Sequence, residues 1–522
     1  MEVQELLKLY AAHPQVTALD TLLKNDTSRN IFLKGLNGSG PAMTIASLFT
    51  KGRGSYVCVL NDQEEAGYFY HDLMQLTASN EVYFFPSAYR RAIKYGHVDP
   101  ANEILRTEVL SRLQDPDASF VIVTYPDALA ERVVAREVLK ENTLKISVGE
   151  KLDNMFVSDV LDEYGFEQVD YVYEPGQYAL RGSILDVFSF SYEFPYRIDF
   201  FGDEVETIRT FDVETQLSKE KLDSIYIVPE MSKNAKDSTS LLGSLPRNTF
   251  IAARDLAWCK ERIGSVWNDD PVVADEESFA DIDQMRKKLV QAEDFLREVL
   301  DFRRIHFGAR PMGTADATIH FSTQTQPIYH KNFDRVSESF HKYLDEGYTL
   351  YILSDQEKQA NRIRMIFEDR GDNIPFTAVN RTIHEGFADD TLRICFFTDH
   401  QLFDRFHKFN LKSDKARSGK ITLSLKELNQ FSQGDYIVHI DHGVGQFGGL
   451  VRTEVNGKMQ EAIKLIYQNN DIIFVSIHSL HKLSKYKGKE SGEPPKLSKL
   501  GTGAWEKMKE RTKAKVKDIA RD

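Results

Sequence analysis

Apolar positions in the first 142 residues fall into short unbroken runs separated by amphipathic stretches. Ile31–Leu33, Tyr56–Leu60, Val82–Phe85 and Phe120–Val123 have the continuous apolar character of strands buried on both faces, whereas Glu64–Leu76 and Asn102–Leu113 repeat at helical spacing. Their alternation predicts a parallel α/β sheet. Over 143–228 the pattern shifts to period two with frequent turn residues, as in "YVYEPGQYALRGSILDVFSF" and "YRIDFFGDEVETIRTFD". Gly202-Asp203 lies between two alternating runs and marks a hairpin, so this stretch reads as a small β-rich module.

Residues 229–327 open loosely and then carry a long helical pattern from Phe279 to about Phe302. An α/β pattern returns over 328–410, with a strand at Thr349–Leu353, a helix at Gln356–Asp369 and a strand at Leu392–Thr398. The polar stretch 411–430 reads as a connector. Residues 431–487 alternate like an all-β unit: Tyr436–Ile440, then Phe447–Val455, an Asn456-Gly457 turn, Ala462–Tyr467 and Ile472–Ser476. Gly448-Gly449 interrupts the second of these strands, as glycines do at a bulge. A second linker and a basic helix occupy 488–522, and that helix runs into the last residue with no stop signal, so the sequence reads as continuing into something further.

Bulk properties narrow the class. A chain of 522 residues exceeds one core and implies several domains. No apolar run approaches the eighteen or so residues of a membrane span, and the charged, amphipathic "MEVQELLKLYAAHPQ" is unlike a secretion signal. Cys58, Cys259 and Cys395 are scattered without metal-ligand or disulfide spacing, which fits a reducing cytoplasm. The formal net charge is −13, yet residues 481–522 hold 13 Lys and Arg against 6 Asp and Glu. That basic tail is either a solvated helix face or a contact for a phosphate backbone.

"KGLNGSGPAM" (34–43) follows the strand-like Ile31–Leu33 and has the glycine frame of a nucleotide loop: Gly35, four residues, Gly40, with Gly38 between. The next two positions, which should be Lys and Ser or Thr, are Pro41 and Ala42. The missing Lys removes the charge that meets the β- and γ-phosphates, and the missing hydroxyl removes a Mg²⁺ ligand. Proline suits the first turn of a helix, so the strand–turn–helix survives while its triphosphate chemistry does not. The nearest candidate for the usual acidic strand end, Thr124-Tyr125-Pro126, has no carboxylate, and Asp127 lies beyond the proline. A relic loop, an unrelated glycine turn and a working site are the three readings; the chemistry favours the first.

Other candidate chemistry is thin. "FFTDHQLF" (396–403) places Asp399 and His400 after a strand, but no phosphate-binding Lys precedes it. His439, Asp441 and His442 are close in sequence, but neighbouring strand positions point to opposite faces and do not converge on a metal. No catalytic residue and no metal site is assigned.

Three features together resemble one family. The glycine loop without its Lys is followed by "EPGQYALRGSILDVFSFSYEFPYRIDFFGDEVETIRTFDVETQLS" (174–218), which is similar to the region that the excision-repair helicase UvrB shares with the Mfd family of transcription-repair coupling factors. "GDYIVHIDHGVGQFGGLVRTEVNG" (434–457) resembles that family's RNA-polymerase-interacting domain, itself related to CarD-type regulators. UvrB would keep the nucleotide loop and lack the second stretch, and a CarD-type protein would lack the first.

The resemblance implies a multidomain α/β and β architecture corresponding to the N-terminal half of such a factor. Residues 1–142 would be a UvrB-like α/β domain with a degenerate nucleotide loop, 143–228 a β-rich UvrA-binding module, and 229–327 a continuation of the first domain with a long helix. A second small α/β domain at 328–410 and a linker at 411–430 would lead to an RNA-polymerase-interacting CarD/Tudor-like β-barrel at 431–487. Residues 488–522 would then lead to a motor lying outside this chain. The implied partners are UvrA and the RNA polymerase β subunit, with double-stranded DNA reached only through the motor of the full-length protein and no membrane. ATP and Mg²⁺ would belong to that motor, leaving this chain without catalysis or cofactor. The alternatives are a helicase-like fragment with residual ATP binding and a CarD-like transcription regulator.

The family's UvrA-binding positions carry over to Arg181 in "LRGS", Arg197 in "PYRID" and Phe201 in "DFFGDE". Read from the residues alone, both arginines could instead pair with local carboxylates such as Asp186 and Asp203, and Phe201 could be core. The polymerase contact carries over to Leu450, Val451, Arg452, Thr453 and Glu454, with Thr453 the most directly matched. An edge strand open to strand addition and an internally satisfied hairpin both fit that segment.

Overall fold

The computed structural model describes residues 1–25, 28–88, 100–115, 117–213, 215–229, 238–268, 286–405, 409, 411, 432–455, 458–476, 483–486, 495–500, 505 and 507–509, with backbone alone for 100, 452–455, 458–461, 476 and 485. They divide into two compact units. The first comprises Met1–Leu144, Phe190–Tyr192 and Ile227–Ser413.

Its main sheet has seven strands in the order Ala317–His320, Asn30–Lys34, Arg303–His306, Phe250–Ala253, Tyr56–Val59, Val121–Thr124, Val82–Phe84. Every neighbouring pair is parallel. Parallel strands are covered on both faces by their crossover helices, and Tyr56–Val59 and Val121–Thr124 are accordingly buried throughout. The helices Gly40–Thr50 and Gln63–Thr77 supply Ile45, Leu48, Leu73 and Leu76 to the same core.

Three strands of this sheet, Phe250–Ala253, Arg303–His306 and Ala317–His320, come from the stretch expected to be a loose opening and a long helix. The helix itself is shorter than expected. Its described part is Ala292–Leu300, whereas Leu289 bridges to Glu131 and the Val290 N–H donates to the Ala130 carbonyl at 2.7 Å. Those non-helical bonds break the periodic stretch before Ala292; residues 279–285 lie outside the described residues.

The same unit contains a five-stranded mixed sheet ordered Thr323–Thr325, Phe387–Asp389, Ile394–Thr398, Thr349–Leu353, Thr377–Val379. The helices Phe333–Asp345 and Glu357–Asp369 cover it through Phe340, Ile363 and Phe367. Phe387, Phe396 and Leu353 join the core of the large sheet, so the two sheets share apolar contacts. The buried His13–Asp389 pair, at 3.1 Å, ties the N-cap of the helix Pro14–Lys24 to the smaller sheet.

The second unit comprises Lys145–Ser189, Glu193–Tyr226 and Asp414–Asp522. Its first part is a six-stranded sheet ordered Ser218–Leu222, Glu204–Phe211, Tyr196–Phe201, Ile184–Val187, Gln177–Arg181, Glu167–Gln168. The pairings are antiparallel except the last. Gly202, with φ of +66°, makes the tight turn between Tyr196–Phe201 and Glu204–Phe211.

The later part of that unit is a five-stranded antiparallel sheet ordered Ile472–Ser476, Lys458–Ile466, Gly443–Val455, Tyr436–His439, Leu483–Lys485. Ile437, Phe447, Ile463, Leu465, Tyr467, Val475 and Leu483 form its core. Among the described residues its pairings run from edge to edge without closing, so the expected barrel is an open sheet as far as it is described. Asn456-Gly457, the connector 411–430 (apart from Leu411) and most of the basic C-terminal stretch lie outside the described residues.

Candidate functional sites

The glycine loop sits between the strand Asn30–Lys34 and the helix Gly40–Thr50, with Pro41 in the first helical turn. Protein groups already surround it. The Asn37 N–H donates to Thr323 Oγ1 at 2.8 Å, the Ser39 N–H to the Glu385 carbonyl at 3.0 Å, and the Gly40 N–H to the Asn37 carbonyl at 3.0 Å. Three of the loop's amide donors are therefore committed to protein acceptors. Glycine is required for this closeness: Gly35 has φ of +89°, and a Cβ there would lie 2.2 Å from the Phe321 carbonyl oxygen.

The segment His384–Gly386 lies against the loop as a strap, and Asp72 fastens it. Asp72 Oδ2 accepts from Ser39 Oγ at 2.5 Å, Asp72 Oδ1 accepts from the His384 N–H at 2.6 Å, and Ser39 Oγ accepts from the Glu385 N–H at 3.0 Å. Burial pushes the Asp72 carboxyl up to about 7, opposed by the hydrogen bonds from Ser39 and the His384 amide. A cleft of about 330 Å³ opens beside the strap, and Asp62, Glu64, Glu65, Asp72 and Glu385 all line it. Its one guanidinium, Arg254, is 2.7 Å from Glu65 Oε1. The carboxylates are arranged to repel a phosphate rather than hold one.

The strand-end acids are engaged elsewhere. Asp127 Oδ1 accepts from Arg262 Nη2 at 2.9 Å, and Asp399 pairs with Arg405 at 2.5 Å. His400 Nε2 lies 2.8 Å from the His384 carbonyl oxygen, which gives it a role in holding the strap. His439 Nδ1 accepts the Asp441 N–H at 3.0 Å, closing a local turn. No group of three or more His, Cys, Asp or Glu is placed to hold a metal among the described residues.

On the six-stranded sheet, Arg181 and Arg197 converge on one fully buried carboxylate, Asp186. Arg197 binds it through both ends of the fork, Nε to Oδ1 at 2.7 Å and Nη2 to Oδ2 at 2.8 Å. Its Nη1 donates to the Gln216 carbonyl at 3.2 Å, and its guanidinium lies 4.4 Å from the Phe211 ring centre. Hydrogen bonding from Asp186 holds the Arg197 proton above the ordinary arginine range. Arg181 donates from Nη1 to the Asp170 carbonyl at 2.8 Å and from Nη2 to Asp186. Local carboxylate pairing thus occurs, through Asp186 and not Asp203. Phe201, by contrast, is 78% exposed at the hairpin tip, which excludes the core reading.

Leu450–Glu454 lie within the strand Gly443–Val455. The first part of that strand pairs with Tyr436–His439. A register shift between Phe447 and Leu450 follows, with Gly449 at φ of +97°, and it forms the bulge. From Leu450 onward the strand pairs with Lys458–Ile463, with Thr453 opposite Gln460. Among the described residues no strand pairs with its other side there. Leu450 is exposed; the side chains of Arg452, Thr453 and Glu454 lie outside what is described.

Two features were missed in the sequence. Asp72 follows Phe69 and precedes Leu73 and Leu76 on the apolar face of Gln63–Thr77, and a lone carboxylate at such a position was the available signal. A contact from the C-terminal segment was also missed: Trp505 Nε1 donates to the Ile440 carbonyl at 2.9 Å, and the Ser498 N–H to the Val444 carbonyl at 2.9 Å. Neither linker composition nor basic charge announces it.

Comparison with known proteins matches these modules to named families. Residues 144–232 match the UvrB interaction domain, and residues 431–487 match the CarD-like/TRCF RID domain. The chain is 24% identical over 593 residues to the transcription-repair-coupling factor of Staphylococcus aureus (strain NCTC 8325 / PS 47), covering 97% of this chain and 50% of that protein. It is also 24% identical over 569 residues to the transcription-repair-coupling factor of Bacillus subtilis (strain 168), covering 94% of this chain and 48% of that protein. Both domains and nearly the whole chain are thus similar to transcription-repair-coupling factors. The chain spans about half the length of the curated relatives it matches.

Proposed function

We propose that this chain is the binding scaffold of a transcription-coupled repair factor. The module at 144–232 docks UvrA, and the module at 431–487 docks the β subunit of RNA polymerase stalled at a lesion, so that one chain brings repair to the blocked site. The observation that carries this reading is the presence of both domains in one chain that is similar to coupling factors along 97% of its length. A UvrB-like helicase or a free-standing CarD-type regulator accounts for only one of the two. Double-stranded DNA and ATP-driven translocation belong, on this reading, to the half of the relatives that this chain does not span, and the setting is the bacterial cytoplasm.

The glycine loop supports a scaffold rather than an ATPase. Three of its amides bond to Thr323, Glu385 and Asn37, its Lys and Ser/Thr positions are Pro41 and Ala42, and its cleft is lined with carboxylates. Pull-down of the purified chain against UvrA and against core RNA polymerase, each alone and then together, tests the reading. A ternary complex is expected; retention of only one partner overturns it.

A further inference from the structure

Phe201, Arg197 and Arg181 share their sheet face with cations that no resemblance assigned. Cross-strand partners lie on the same face. Asp186 is opposite Arg197, Arg197 opposite Arg209, and Arg209 opposite Lys221. Three cations therefore occupy one row across three adjacent strands, spaced roughly 4.8 Å from strand to strand. Like charges placed directly opposite one another cost stability, and the formal charge of the chain is −13, so overall composition does not account for the row.

The three differ in how far the fold has used them. Arg197 is 16% exposed and spends Nε, Nη1 and Nη2 on Asp186 and the Gln216 carbonyl. Arg209 is 30% exposed, and its side chain makes one hydrogen bond among the described residues, from Nη2 to Asp199. Lys221 is exposed and forms no ion pair among the described residues. A guanidinium offers five N–H donors in a fork suited to a carboxylate. Arg209 therefore has directional capacity left to give, and Arg197 has little.

We propose that Arg209, continued by Lys221, is the direct electrostatic anchor for the partner of this module, and that Arg197 chiefly positions the face. The occupant is an acidic segment on the surface of the UvrA-class protein; the inference rests on that reading of the module. A protein fits better than a nucleic acid. Phe201 and Leu217 are 78% and 69% exposed, and apolar anchors of this kind belong to protein interfaces.

Binding of UvrA to the full chain, measured by calorimetry at several salt concentrations, tests this with Arg209→Glu, Lys221→Glu and Phe201→Ala. The expected result is a loss of at least tenfold for each charge reversal and a shallower salt dependence for both, at an unchanged melting temperature for Lys221→Glu. Should Arg209→Glu fail to fold, the exposed Lys221→Glu still decides. Wild-type affinity in both charge variants, with loss only in Phe201→Ala, overturns the anchor and leaves the module's partner intact. Failure of the unmodified chain to bind UvrA overturns the parent reading and the anchor with it. Binding of duplex DNA that Arg209→Glu abolishes would assign the row to phosphate and overturn the protein occupant.

Discussion

Ser39 Oγ donates to Asp72 Oδ2 at 2.5 Å, and through this bond the glycine loop is fastened to a carboxyl buried in the next helix. Asp72 Oδ1 takes the His384 N–H of the strap, so one side chain holds both partners.

The raised Asp72 carboxyl makes this fastening pH-dependent. Burial lifts it to about 7 from an unfolded value near 3.8. The folded state thus holds its proton more tightly than the unfolded state does. The resulting stabilisation is full below about pH 4 and is lost as pH rises through about 7. Burial raises Glu385 and Glu65 as well, with the same sign. Wild-type stability should fall between about pH 4 and pH 7, and Asp72→Asn should flatten that fall. Equal slopes in urea melts of the two chains would show that Asp72 is not the titrating group.

Nucleotide should leave the fold indifferent. A ligand stabilises only the state it binds, and the loop lacks the Lys and hydroxyl at Pro41 and Ala42, has three amides bonded to protein acceptors, and faces a cleft lined with carboxylates. Millimolar Mg-ATP should not move the melting temperature, and Pro41→Lys combined with Ala42→Thr should show no ATP turnover in preparations that still melt cooperatively. A clear upward shift with ATP would restore the loop to the class of working sites.

Local chemistry was legible in the sequence; long-range pairing was not. The strands at Asn30–Lys34, Tyr56–Val59 and Val121–Thr124 stood out because strands buried on both faces are apolar without a break. Arg303–His306 occupies the same sheet yet reads as polar. Its arginines reach backbone carbonyls, Arg303 to Leu22 and Leu23 and Arg304 to Leu300, so charge there serves chain ends rather than solvent. The empty frame of the loop was visible from Pro41 and Ala42. The strap that fills it comes from more than 300 residues away, and no local pattern encodes that distance. Around Asp186, spacing suggested a carboxylate partner, but only the register of Arg197 opposite Asp186 selects it over Asp203.

Arg197 and Phe201 should separate binding from stability. Phe201 is exposed at the hairpin tip, so Phe201→Ala should weaken UvrA binding by about 2 kcal/mol, roughly 30-fold, while leaving the melting temperature nearly unchanged. Arg197→Ala removes the forked partner of a fully buried carboxylate and should destabilise the module by about 2 kcal/mol as well as weakening binding. Paired melting and binding measurements on both variants check this. An unfolded Phe201→Ala module, or an Arg197→Ala module as stable as wild type, would contradict the arrangement around Asp186.

The strand at Leu450–Val455 gives the most position-specific expectation. On one side it pairs with Lys458–Ile463, and on the other no described strand meets it. Tyr436–His439 stops pairing at Gln446, before the bulge that precedes Leu450. An unpaired row of N–H and C=O groups is a template for strand addition by another protein. Thr453→Arg should therefore abolish binding to the polymerase β subunit while UvrA binding persists, because the proposed UvrA site is on the separate module at 144–232. Proline should discriminate further along the strand. Where an N–H points outward, proline should remove partner binding at little cost to the fold; where it points toward Lys458–Ile463, proline should break the hairpin and lower the melting temperature. Sensitivity of polymerase binding without destabilisation should thus appear at every other position from 450 to 455. Intact polymerase binding in Thr453→Arg, or uniform sensitivity to proline along the segment, would show that the hairpin is internally satisfied and that the polymerase docks elsewhere.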